Sequence, residues 1–280
     1  MSKKVWLITG CSKGLGRALA EAVLAAGNQL VATARNPELL KDLIVCYGHQ
    51  VHTIALDVTD EKAAAHVIKT TIDVFGKLDV LVNNAGYCTI NSIEESSIAD
   101  FRAEIETNLF GTIIVTKAAL PYMRKQKTGH IIQVSSMGGL LGPVGHGPYT
   151  AAKWGVEGFS EVLEKETKLL GIKVTILQPG GFRTNLTGIS STGPDRLPAY
   201  EPTVGAAARI QHAYHGKEPG DPAKAAAAIL FLANLEEPPL RLLLGSDAVY
   251  AAEKNELFKI AADHKWRQLS ISTDFDPSVP

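Results

Sequence analysis

The chain has 280 residues, 45% hydrophobic and 20% charged, the balance of an ordinary globular protein long enough for a deep core. A formal net charge of −1 leaves no basic footprint for nucleic acid or an anionic membrane, and three scattered cysteines (Cys11, Cys46, Cys88) argue against a disulfide framework. No apolar run approaches the roughly 18 residues of a membrane span, and Met1-Ser-Lys-Lys leads directly into a strand, so the expected compartment is the cytoplasm.

In chain order, short apolar runs alternate with amphipathic stretches. The pattern predicts strand 5–9, helix 15–26, strand 29–34, helix 37–47, strand 51–55, helix 61–75, strand 80–83, helix 98–125, strand 130–135, helix 149–170, strand 174–178, helix 222–235 and strand 240–244. The strands are apolar throughout rather than alternating, as expected when helices cover both faces of a parallel sheet. Repeated strand–helix alternation without a linker or internal repeat predicts a doubly wound α/β fold in a single domain, 1–280. Residues 185–220 break the rhythm with many glycines and prolines, which fits a substrate lid or a flexible loop. Residues 247–280 form a C-terminal extension.

Directly after the first strand stands Thr9-Gly10-Cys11-Ser12-Lys13-Gly14-Leu15-Gly16, opening the first helix. Glycines let a backbone turn tightly and approach a pyrophosphate, while a helix N-terminus supplies free N–H groups and positive potential. The spacing is G-x-x-x-G-x-G, and its setting between strand and helix points to dinucleotide binding. Cofactor choice is read at the end of the second strand, where an acid would take a ribose 2′-hydroxyl. Ala34-Arg35 offers no carboxylate and Lys13 adds a second cation, so NADP(H) is expected over NAD. Solvated surface charge is the plainer alternative for either cation alone.

Tyr149 and Lys153 stand one helical turn apart in Tyr-Thr-Ala-Ala-Lys, with Ser136 thirteen residues upstream of the tyrosine. A phenol titrates near pH ~10 and is a poor base at neutral pH. An ammonium about 4 Å away on the same face, in an effective dielectric near 20, favours the phenolate by about 4 kcal/mol before desolvation is subtracted. The spacing therefore predicts a phenol tuned toward neutral pH, with a serine hydroxyl holding a substrate oxygen beside it. Leu140, Leu141, Pro143 and Val144 between the two motifs either line a pocket wall or pack their own loop.

Further motifs complete the series: Asp57-Val58 after the third strand, Asn83-Asn84-Ala85-Gly86 after the fourth, Asn108 in Thr-Asn-Leu-Phe-Gly, and Pro179-Gly180-x-x-x-Thr184 after the sixth. In this order and spacing the sequence closely resembles the short-chain dehydrogenase/reductase family over residues 4–250. The resemblance implies a Rossmann fold, with Tyr149 as general acid or base and Ser136 orienting the substrate oxygen; the thirteen-residue spacing favours Ser136 over the neighbouring Ser135. It implies that Lys153 lowers the tyrosine pKa and binds the nicotinamide ribose, and that Asn108 holds a water relaying protons to Lys153. Asp57 with Val58 would meet the adenine, unless Asp57 caps the following helix. Asn84, Ala85 and Gly86 would line the ribose side, and Pro179, Gly180 and Thr184 would position the carboxamide.

The ending Leu242-Leu-Leu-Gly-Ser-Asp247 replaces the short glycine-rich strand of many tetrameric members and resembles a retinol- and 17β-hydroxysteroid-dehydrogenase-like branch. That leaves a monomer or a homodimer open. The expected function is an NADP(H)-dependent oxidoreductase acting on a carbonyl or secondary alcohol of a hydrophobic small molecule. An NAD-linked dehydrogenase working oxidatively is the nearest rival. A non-catalytic NADP-binding redox sensor is a poor match, since Asn108, Ser136, Tyr149 and Lys153 are all present. The eight histidines show no metal spacing, so no metal is expected.

Overall fold

The computed structural model of the chain describes residues 3–184 and 197–275. Among them, β1 (Val5–Ile8), β2 (Gln29–Ala34), β3 (Val51–Ala55), β4 (Val80–Asn83), β5 (Gly129–Val134), β6 (Ile172–Pro179) and β7 (Arg241–Leu244) form one parallel sheet in the order β3-β2-β1-β4-β5-β6-β7. Every predicted strand is present, with ends within two residues of those expected. The helices are α1 (Gly14–Ala25), α2 (Lys41–Tyr47), α3 (Glu61–Phe75), α4 (Ile98–Ile105), α5 (Gly111–Gln126), α6 (Gly147–Thr167), α7 (Ala206–Tyr214), α8 (Pro222–Leu232) and α9 (Ser246–Ile271). No helix of the described residues is long and apolar enough to cross a membrane.

β1 is apolar at every position because its successive side chains enter opposite cores. In β1, Trp6 and Ile8 join Leu19 and Val23 of α1 and Ile229 and Leu232 of α8 on one face. Leu7 joins Val67 and Ile68 of α3 and Val115 and Met123 of α5 on the other. All of these are at most 2% exposed, and each such aliphatic side chain contributes roughly 1.5–3 kcal/mol relative to exposure. Caps fix helix starts: Asp60 accepts from Lys62 N and Ala63 N at α3, and Asp221 from Ala223 N at α8, where Pro222 takes the first position.

Three expectations are corrected. The predicted helix 98–125 is interrupted by a π-helical turn, Glu106–Phe110, between α4 and α5. The stretch 37–47 is a 3₁₀ turn, Pro37–Leu40, followed by α2. The irregular insertion is partly structured. Residues 185–196 lie outside the described part, but Pro198–Tyr200 is a 3₁₀ turn, Glu201–Gly205 a π turn, and α7 follows. The Ala-Ala-Ala-Arg run in α7 has strong helix propensity, which the surrounding glycines and prolines obscured. Tyr200 donates to Glu94 and Leu197 N to Glu95, which docks this segment on the loop after β4. The extension is chiefly α9, with residues 276–280 outside the described part.

The strand order reverses between β1 and β4, so the loops leaving these neighbours diverge and open a crevice at their carboxyl ends. That crevice gathers the sequence motifs.

Candidate active site

A cleft of about 510 Å³ opens over the carboxyl ends of the central strands. Gly10, Ser12, Lys13, Gly14, Leu15, Arg35, Asp57, Val58, Asn84, Ala85, Gly86, Asn108, Ser136, Tyr149, Lys153, Pro179, Gly180 and Thr184 all line it. Of the residues assigned from sequence to catalysis or cofactor binding, only Gly16 is not among its walls. The apolar set Leu140, Leu141, Pro143 and Val144 does not line it; Tyr87, Val134 and Phe182 supply apolar wall.

The glycine loop is built by hydrogen bonds between β1 and β4. The Thr9 hydroxyl oxygen accepts from Asn84 N and Ala85 N, each at 2.9 Å, and the Asn84 amide donates to Thr9 O at 2.8 Å and Gly10 O at 3.2 Å. Gly10 has φ +73°, and a Cβ there would stand 2.9 Å from Ala85 Cα. Gly16 serves the same junction from behind: a Cβ would overlap the Asn84 amide and lie 2.5 Å from Gly10 O. We expect Gly16→Ala to cost about 1–3 kcal/mol by overpacking this junction, read as a lowered Tm. An unchanged Tm would rule out the packing role. The first turn of α1 has no acidic residue and no side-chain cap, so its N–H groups remain available at the cleft.

Cations sit on the β1–β2 side. Lys13 and Arg35 are exposed on the cleft wall, and no carboxylate follows Ala34. Asp57 does not cap α3, since Asp60 does. Its Oδ1 accepts from Thr59 N at 3.0 Å and from the Thr59 hydroxyl at 2.8 Å. These bonds, with a smaller contribution from Arg35, hold its carboxyl below the usual range.

The candidate acid–base residues lie on the β5 side. Ser136 follows β5; its hydroxyl accepts from Gly138 N at 3.1 Å, and it lines the cleft together with Tyr149. The hydroxyl of Ser135, which also lines the cleft, is buried without a partner, close to Gly139 and Glu157. Lys153 is one turn further along α6, with Nζ 5.6 Å from the Tyr149 ring centroid and donating to Val134 O at 2.7 Å. Tyr149 is 7% exposed and Lys153 4%, and this burial decides their titration. Burial raises the phenol above its ordinary value, with Ser136 opposing, and lowers the Lys153 ammonium to about 8, with Cys88, Glu157 and Glu104 opposing. The expected lowering of the tyrosine is therefore reversed: desolvation is the largest influence on the phenol and raises it.

Asn108 occupies the π turn and is fully buried. Its Oδ1 accepts from Tyr87 N at 3.0 Å and its Nδ2 donates to Tyr87 O at 2.8 Å. Both ends of the amide thus tie the π turn to the loop after β4. Such π turns concentrate at functional sites. Sequence reading missed Glu104, which is 1% exposed and accepts from the Thr89 hydroxyl at 2.6 Å; burial raises its carboxyl. A signal existed: Glu104 precedes Asn108 by four residues, so two polar residues share one helical face. Glu157 was also missed; it accepts from Gln178 at 3.1 Å and from Arg241 at 3.1 Å, behind Lys153.

A family model for short chain dehydrogenases matches residues 4–194. The chain belongs to the short-chain dehydrogenase family. Over 271 residues, this short-chain dehydrogenase is 46% identical to the oxidoreductase BOA17 of Botryotinia fuckeliana, covering 96% of this chain and 99% of that protein. A short-chain dehydrogenase structure from Streptomyces avermitilis superposes with a TM-score of 0.88 at 40% identity, covering 98% of this chain and all of that one. ElxO, whose structure has NADP bound, aligns with a TM-score of 0.74 at 29% identity over 89% of this chain and all of that one. The protein is therefore an oxidoreductase of this family.

Proposed function

We propose that this short-chain dehydrogenase uses NADP(H) to interconvert a carbonyl and a secondary alcohol on a hydrophobic small molecule. The observation that carries the reading is a single cleft with different chemistry on its two sides. Lys13 and Arg35 lie toward β2, and Ser136, Tyr149 and Lys153 lie toward β5. The NADP-bound relative ElxO supports the cofactor.

The residues fit that cofactor. Gly10 and Gly14 take positive φ and the start of α1 is uncapped, which suits a pyrophosphate. Lys13 and Arg35 suit a 2′-phosphate, Asp57 and Val58 the adenine, and Asn84, Ala85 and Gly86 the ribose side. Lys153 would hold the nicotinamide ribose, and Pro179, Gly180 and Thr184 would hold the carboxamide. When bound, the nicotinamide supplies or accepts the hydride. Tyr149 is protonated at neutral pH because burial raises its phenol, so it is ready to donate to a substrate oxygen held by Ser136. The Lys153 cation offsets negative charge that develops on that oxygen. Tyr87 and Phe182 on the cleft wall suit an apolar substrate.

Cofactor choice is tested by the ratio of kcat/KM for NADPH to that for NADH. Each charge-assisted hydrogen bond to a phosphate contributes about 1.5–3 kcal/mol, so replacing both Lys13 and Arg35 by alanine should cut the NADPH value by about 100-fold or more and leave NADH nearly unchanged. A wild-type preference for NADH overturns the assignment. An NADPH-oxidation screen over ketones, aldehydes, quinones and steroids identifies the substrate.

A further inference from the structure

The segment Leu244-Gly245-Ser246-Asp247, which leads from β7 into α9, reaches back to the loop after β6. Asp247 Oδ2 accepts from Gly181 N at 2.7 Å, and its Oδ1 accepts from Ala248 N at 3.0 Å. Gly180 N donates to Leu244 O at 2.8 Å, so two successive backbone amides of the β6 loop are tied to the β7–α9 junction.

The surrounding glycines are spaced for that carboxylate. A Cβ on Gly180 would overlap both carboxylate oxygens, and one on Gly245 would lie 2.6 Å from Oδ1. A Cβ on Gly181 would stand 3.3 Å from Oδ2 and 3.1 Å from the ring of Tyr214, in α7. Gly180 therefore meets a steric requirement set by a side chain 67 residues later, besides any cofactor contact.

We propose that Asp247 is a positioning residue for the nicotinamide end of the cleft. It acts through the Pro179–Gly181 backbone rather than by touching cofactor or substrate. Its carboxylate pins Gly181 N, fixes the peptide plane between Gly180 and Gly181, and joins the start of α9 to the wall of the site. The part that concerns the cofactor rests on the functional reading above; the clamp itself does not.

Both parts are tested on the full chain. In the cofactor-free protein, Asp247→Ala should speed amide hydrogen exchange at Gly181 by about 100-fold or more, while exchange at the core strands stays as in wild type. With NADPH, Asp247→Ala should lower kcat about 10- to 100-fold, because a small misplacement of a reacting end suffices, while NADPH Kd and substrate KM stay within about threefold. Asp247→Asn keeps the shape and one acceptor oxygen, so it should recover much of both losses. Gly180→Ala should reproduce the kcat loss in wild type and cost far less in the Asp247→Ala background, where the overlapping carboxylate is gone. Unchanged Gly181 exchange in Asp247→Ala overturns the clamp. Faster exchange with unchanged kcat, or additive effects of the Gly180 and Asp247 changes, overturns the positioning role. If wild type binds no nicotinamide nucleotide, the functional reading fails, while the exchange result still decides the clamp.

Discussion

Replacing Tyr149 by phenylalanine is expected to lower kcat by about 10²–10⁴-fold, the usual contribution of a placed general acid, while NADPH affinity stays within about threefold. The substitution removes one hydroxyl and little else. The ring still packs beside Gly138, where a Cβ would stand 3.1 Å from Cε1, and the Ser136 hydroxyl keeps its bond from Gly138 N. The phenol is desolvated, so losing its hydroxyl costs the fold little, and Tm should hold to within a few degrees. Direction matters as well. Burial holds the phenol above its ordinary value, so at neutral pH the proton needed for reduction is already in place. Oxidation needs the phenolate, and its rate in wild type should keep climbing as pH rises above neutral. Near-wild-type turnover in Tyr149→Phe, or an oxidative rate flat with pH, would remove Tyr149 from the mechanism.

The sheet was legible because its signals are local. Apolar runs bounded by glycine or polar turns marked each strand, and two buried faces left no alternation to misread. The glycine loop, Asn84, Ser136, Tyr149 and Lys153 were legible because their spacing is fixed by one strand-to-helix connection or one helical turn. What escaped depends on contacts distant in sequence or on burial. The π turn at Asn108 comes from the amide pairing with Tyr87, twenty-one residues earlier. Asp247 has no local meaning at the start of α9 and acquires one only beside Gly180 and Gly181. The sign of the Tyr149 shift escaped for a third reason. Spacing supplies the attraction to Lys153, but only the fold supplies the desolvation that opposes it. Gly16 was assigned to the cofactor by motif; its seating of α1 against Asn84 is visible only in the fold.

Lys153 gives the second large expected effect. Burial lowers its ammonium to about 8, so it is charged at pH 7 and loses that charge as pH rises through 8. Because kcat/KM for NADPH reports the free enzyme, its reductive value should fall above pH 8, approaching tenfold per unit. Lys153→Met should lower that value at pH 7 by about 10²-fold or more, since a preorganised charge at a developing oxyanion is worth several kcal/mol, and should abolish the limb near 8. Lys153→Arg keeps a cation that does not titrate, so its profile should lose the same limb even where its absolute rate is low. The stability effect has the opposite sign. The folded value lies below the unfolded value of about 10.5, so the unfolded chain binds more protons between these limits and stability rises with pH across them. Below pH 8 the buried ammonium therefore costs the fold on the order of 1–3 kcal/mol, which Lys153→Met should recover as a higher Tm at pH 7. Above about pH 10.5 both states are neutral and that advantage should vanish. A limb near 8 that persists in Lys153→Met assigns it to another group, and a Tm difference that does not shrink with pH shows that the lysine carries no burial cost.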